Sequence, residues 1–155
     1  MAEESEFKVL LAESFGQALE MVETALKAEG FSIVTRFDVQ RTMNDRLRVN
    51  FRPFIILGTV NDRIASRALK NDPCIALMMP CNISLELDSS GFTLVRVADP
   101  AQLISCKCGE DPEIQGIADD ASSRLIQVVK SLKSASRPFD PEGKPWTRLA
   151  VDIHE

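Results

Sequence analysis

The sequence has no tyrosine, one histidine (His154) and one tryptophan (Trp146) among 155 residues. A single histidine excludes an imidazole-rich metal site and argues against a catalytic triad built on it. No apolar run approaches the ~20 residues that a membrane-spanning helix requires. The first residues, Met1-Ala2-Glu3-Glu4-Ser5-Glu6, are acidic and lack the basic and apolar regions of a secretory signal, so a cytoplasmic location is expected. Excess basic charge is missing too, since the formal net charge is −5. Arg36, Arg41, Arg46, Arg48 and Arg52 form a locally basic stretch, but Asp38 and Asp45 interrupt it. Nucleic-acid binding needs a concentrated basic surface to neutralise phosphates. A solvated mixed face is therefore expected there, with neither nucleic acid nor membrane as a partner. No phosphate-binding loop is present and no cofactor is implied.

What is present is the composition of an ordinary soluble domain, 45% hydrophobic and 26% charged. The length suits one domain over residues 1–155, burying roughly 70% of its unfolded surface. Phe7 to Ala12 reads as a first strand. Ser14 is a helix N-cap, and Phe15, Ala18, Leu19, Val22, Ala25 and Leu26 follow at helical spacing. Gly30 fits the left-handed position after that helix, with Phe31 folding back on Leu26. Phe31 to Phe37 alternates as a second strand, with Phe31, Ile33 and Thr35 on one face. Asp38 caps a short helix carrying Val39, Met43 and Leu47. Phe54 to Val60 is an unbroken apolar strand, suited to a central or doubly covered place in a sheet.

Asn61 or Asp62 caps the next helix, which Asn71-Asp72-Pro73 ends because a residue before proline leaves the helical region. Cys74 to Met79 is read as a fourth strand, interrupted by Pro80 and resumed through Ile83, Leu85 and Leu87. Asp88-Ser89-Ser90-Gly91 turns the chain into a strand ending at Val97. Asp111 and Pro112 can start a last helix. Gly116 weakens its first turns, so its firm part is expected from Asp119 onward. Arg137 to Pro145 reads as a loop, and Thr147 to Ile153 as a short terminal strand. Together these elements predict a two-layer α+β domain, its sheet mixed or mostly antiparallel, with helices on one face.

Chemistry-bearing residues concentrate at Met78-Met79-Pro80-Cys81-Asn82. Pro80 cannot donate to a sheet ladder, so it marks an edge, a strand end or a bulge. A cysteine at such a break is more accessible than one inside a continuous strand, which makes Cys81 the sole candidate for catalysis. Its thiol needs a cationic neighbour or a helix N-terminus to become a thiolate at neutral pH. Free cysteine is also among the most buried residue types, so packing is the competing reading. Asn61, Met79, Pro80, Cys81 and Asn82 are the ligand-binding candidates, although Asn61 doubles as a helix cap and methionine usually fills space. Residues two apart in a strand are about 6.6 Å apart at Cα. A Cys106–Cys108 disulfide would therefore need a bent backbone. Cys74 and Cys81 lack the spacing of a structural zinc site, so no metal is expected. Asp62, Asp72, Asp99 and Glu86 are scattered, with turn or cap roles expected.

The middle of the chain resembles the domain-of-unknown-function family 302. The matching residues run through Ala25-Leu26-Lys27-Ala28-Glu29-Gly30-Phe31, Asp38-Val39, Leu57-Gly58, Asn61, Ala65 and Leu69. Asp72-Pro73, a hydrophobic run ending in Pro80-Cys81-Asn82, and Val97-Ala98-Asp99-Pro100 complete the pattern, over roughly residues 15 to 104. The resemblance implies a small α+β fold of TATA-binding-protein-like architecture in single copy, often a homodimer, with no established activity. The family usually has proline after the asparagine matching Asn61, and this chain has Asp62. Residues from about Ser105 onward fall outside the clear match. Three functions are consistent with these residues: a homodimeric, non-catalytic module binding a small molecule or protein near Pro80-Cys81-Asn82; a thiol-dependent enzyme or redox protein using Cys81; or an interaction protein assembling through its apolar tail, Trp146 to Ile153. The first is the expected one.

Overall fold

In a computed structural model, residues 6–105 and 111–137 are described. β1 (Lys8–Leu11) leads into α1 (Phe15–Ala28), β2 (Phe31–Asp38), α2 (Val39–Leu47), β3 (Phe54–Asn61) and α3 (Asp62–Asn71). A 3-10 helix (Pro73–Met78), β4 (Cys81–Leu87), β5 (Thr93–Val97), α4 (Pro100–Ser105) and α5 (Pro112–Ala135) follow. The five strands form one sheet in the order β1-β5-β4-β3-β2, and every neighbouring pair is antiparallel. The fold is α+β, with a wholly antiparallel sheet where a mixed one was allowed.

Local sequence explains the ends of the helices. Ser14 accepts the Gln17 N–H, and Gln17 reaches back to the Ser14 N–H, closing a capping box at α1. Gly30 has φ +81°, the left-handed conformation expected after that helix. Phe31 and Leu26 are both buried in the same apolar cluster. Asp38 and Asn61 accept N–H groups at the starts of α2 and α3, and Asp62 places a negative charge in α3's first turn.

Several expectations are corrected. Pro73–Met78 is a 3-10 helix, not a strand. Asp72 accepts the Cys74 N–H at 2.9 Å, and Pro73, with φ already near the helical value, occupies the first turn. A short unbroken apolar run looks alike in a strand and in a helical turn, so periodicity alone cannot separate them, and here only Ile75 is buried. Thr35 is not on the face of Phe31 and Ile33: a bulge between Ile33 and Thr35 shifts the register, so Ile33 pairs Thr59 while Thr35 pairs Gly58. α5 is regular from Pro112, with Ile114 and Ile117 buried in its first turns. Gly116 faces open space, and the packing of its neighbours offsets its low propensity. α4 was not anticipated. The expected terminal strand and the Cys106-Lys107-Cys108 segment lie outside the described residues.

Two apolar clusters result. In the first, α1 and the second half of α5 pack on one face of the sheet, against Leu11, Leu57, Ile83, Leu85 and Val95. In the second, α3, the 3-10 helix, α4 and the first half of α5 pack together through Ile64, Ile75, Ile104 and Ile117. No helix among the described residues is long and apolar enough to cross a membrane.

Candidate functional site

The second cluster does not close fully against the sheet. A cavity of about 80 Å³ remains where β3 ends and β2 and β4 begin. One probe-sized water occupies about 10–15 Å³ on such a measure, so the space exceeds a single solvent molecule. Alanines leave it unfilled: Ala65 and Ala68 from α3 and Ala118 and Ala121 from α5 all face it. Ile64, Ile75, Ile104 and Ile117 form much of the remaining wall, and no described lining residue is charged. Thr59 and Ala118 are fully buried, Met79 and Cys81 are half-buried, and Leu103 is 44% exposed, so the wall reaches the surface on the side of α4.

Strand alternation divides the residues predicted from sequence. Cys81 pairs Thr59 and lines the cavity; Asn82 pairs Gly58 on the opposite face and is exposed. The Met79–Pro80 peptide is cis. Pro80 turns its ring over Gly58, where an added Cβ would collide with the Thr35 hydroxyl and lie 2.6 Å from Pro80 Cγ. Glycine at position 58 therefore permits that close approach. Asn61 and Met79 line the cavity beside Cys81, with Met78. Of the five ligand candidates the cavity brings together Asn61, Met79 and Cys81, whereas Pro80 and Asn82 belong to the other face.

Cys81 is held as a neutral thiol. Burial, reinforced by the nearby Asp99 charge, pushes its pKa up to about 12. Its Sγ–H donates to the Ala98 carbonyl at 3.4 Å. At neutral pH the thiolate fraction is then on the order of 10⁻⁵. Asn61 is engaged at both ends of its amide: Oδ1 accepts the Ile64 N–H at 3.2 Å, and Nδ2 donates to the Glu29 carbonyl at 3.3 Å. It thereby ties the start of α3 to the end of α1.

Thr59 is the residue that sequence reasoning missed. It is 1% exposed and lines the cavity, and its hydroxyl has no hydrogen-bond partner among the described residues. An unpaired buried hydroxyl costs about 1–3 kcal/mol. Its sequence signal was faint, a threonine within an apolar strand, where β-propensity is explanation enough.

The carboxylates have separate roles. Asp99 accepts the Ala101 N–H at 3.0 Å and the Ser122 hydroxyl at 2.6 Å, joining α4 to α5 next to the cavity. Asp72 caps the 3-10 helix, as expected of a turn residue. Glu86 is different: it is buried on the sheet face opposite α1 and α5 and ion-paired with Arg52 and Arg96. Burial alone would raise its pKa, but hydrogen bonds and charges from Arg96 and Arg52 outweigh that and lower it. Arg36 pairs Glu23 and Arg41 pairs Asp45, so three of the five arginines in the basic stretch are matched by carboxylates. That is the mixed face anticipated from sequence. Among the described residues no three His, Cys, Asp or Glu side chains cluster as metal ligands would.

A family model described as "Domain of unknown function DUF302" matches residues 7–132. The chain belongs to the DUF302 family. The match extends beyond the span of resemblance, residues 15 to 104, and takes in α5 as far as Leu132, so both walls of the cavity lie within the family domain. A crystal structure of an uncharacterized conserved DUF302 protein from Bacillus stearothermophilus is 24% identical, with a TM-score of 0.74. The alignment covers 81% of this chain and 96% of that one, and it shows the shared fold. No curated protein matches the chain.

Proposed function

We propose that this DUF302 protein is a non-catalytic module that binds a small molecule in the cavity bounded by Asn61, Met79 and Cys81. The observation that carries the reading is the cavity itself, apolar, partly open to the surface and left unfilled by four alanines. Thiol catalysis by Cys81 has the geometry against it. The thiol is half-buried and bonded to a carbonyl, and no described residue supplies a cation to stabilise its anion.

The test is a metabolite screen by thermal shift on the full chain and on Ala118→Leu, which places a larger side chain in the cavity. A ligand present at a hundred times its Kd stabilises the protein by about 2.7 kcal/mol. Stabilisation of the parent that is lost in the folded Ala118→Leu variant supports the reading. The same stabilisation in both proteins places binding elsewhere and overturns it.

A homodimer, implied by the family resemblance, belongs to the same proposal. The surface that supports it is the sheet face opposite α1 and α5, where Leu10, Phe54, Ile56 and Leu94 are only half-buried. Sedimentation equilibrium tests this, and a monomer at micromolar concentration would refute it. A protein partner is the second reading. It is favoured by Leu77, which is 89% exposed on the 3-10 helix, and by exposed Leu103 at the cavity wall.

A further inference from the structure

The polar groups along the cavity wall are Thr59, Asn61 and Cys81, and they are not equally available. Asn61 uses both ends of its amide within the fold, and Cys81 donates its proton to the Ala98 carbonyl. Only the Thr59 hydroxyl has no partner among the described residues. A hydroxyl can donate one hydrogen bond and accept others. Leaving one unpaired in an apolar interior is costly, which makes such a group a candidate anchor for a bound molecule.

We infer that the cavity takes a small, neutral, mostly apolar molecule bearing one carbonyl or hydroxyl, which hydrogen-bonds to Thr59. This rests on the small-molecule reading above and specifies its ligand class. Neutrality follows from the wall: among the described residues it carries no charged side chain to compensate an ion, and burying an unpaired charge is far costlier than burying a hydroxyl. Size follows from the volume. At about 80 Å³ the cavity is smaller than the ~150 Å³ apolar cavity that holds a benzene ring. It therefore encloses about three heavy atoms of a ligand, with the remainder extending past Leu103. One polar atom gives orientation and the apolar wall gives affinity, a division common to small-molecule sites.

Cyclopentanone, cyclopentane and cyclopentanecarboxylate are suitable probes, titrated against ¹⁵N-labelled full chain and followed by amide chemical shifts. The chain is compared with Thr59→Val, which keeps the shape without the hydroxyl, with Thr59→Ser, which keeps the hydroxyl, and with Ala118→Leu. Cyclopentanone is expected to perturb residues around the cavity, binding about tenfold more weakly to Thr59→Val and nearly unchanged to Thr59→Ser. Cyclopentane is expected to bind Thr59→Val at least as well as the parent, and the carboxylate to bind neither. Equal cyclopentanone affinity for parent and Thr59→Val, with binding still lost in Ala118→Leu, overturns the Thr59 anchor and leaves the cavity reading standing. Tight carboxylate binding in the cavity overturns the neutral ligand class. No cavity shifts with any probe overturns both readings.

Discussion

α5 passes through two different environments, and the contrast between them locates the candidate site. Its second half presses Leu125, Val128, Val129 and Leu132 onto α1 and the sheet, and all four are 0–1% exposed. Its first half presents Ile114, Ile117, Ala118 and Ala121 to two short helices and a 3-10 helix. A twisted sheet offers a continuous surface whose pleats a long helix can fill. Three short elements do not, and with alanine at the contacts a cavity remains. Close packing is the rule in protein interiors, so a cavity that leaves a threonine hydroxyl unpaired invites a functional explanation.

Truncation should separate the two regions most strongly. Leu125→Ala in the first cluster should lower stability by about 2–5 kcal/mol, as a new void opens in a filled core. Ile117→Ala should fall at or below about 2 kcal/mol, because part of its surface already faces empty space. Urea unfolding measures both, and equal losses would erase the distinction between the regions.

Enlargement should act in the reverse sense. Ala18→Leu, in the first cluster, should cost about 1–3 kcal/mol through overpacking. Ala118→Leu should cost less than about 0.5 kcal/mol or stabilise the fold, because the cavity accommodates the added carbons. A large loss at position 118 would mean the cavity cannot accept new atoms.

Buried threonines give a finer comparison. Thr93 donates its hydroxyl to the Glu13 carbonyl at 3.3 Å, whereas Thr59 has no partner among the described residues. Thr93→Val should therefore lose about 1 kcal/mol in thermal unfolding, and Thr59→Val should gain about the same. Losses at both positions would show that the Thr59 hydroxyl is satisfied in solution.

The last expected effect is absent at neutral pH and appears only on the alkaline side. In the unfolded chain Cys81 ionises near 8.5, while the folded protein keeps its proton up to about 12. Between these values the unfolded chain binds fewer protons, so stability falls as pH rises. Below pH 8.5 both states keep the proton and the contribution is flat. Cys81→Ala should show a shallower decline above pH 8.5, and an unchanged slope would indicate a solvated thiol.

The elements legible in the sequence were those whose signals are local. The Ser14 capping box, Gly30 after α1, and the Asp88–Gly91 turn each act within a few residues. Alternation in Ile83, Leu85 and Leu87 was also enough to place β4. The break at Pro80 drew attention to Cys81, which lines the cavity, yet period-two geometry separates Cys81 from Asn82, and alternation alone could have shown it. The 3-10 helix was obscured because Cys74 to Met79 has no polar residue to reveal a period. The bulge at Thr35 and the cavity depend on contacts between segments far apart in sequence. So does the isolation of Thr59, whose pairing state no local pattern encodes.

The central claim is that the second cluster contains an accessible apolar cavity against the sheet, where the first cluster packs closely on it. Xenon enters such cavities without needing hydrogen bonds, so crystals of the protein pressurised with xenon test it most directly. The account predicts a xenon atom among Thr59, Ile117 and Ala118 in the parent, its absence in Ala118→Leu, and none between α1 and the sheet. A parent crystal with no xenon at that position, or with xenon only in the first cluster, would contradict it.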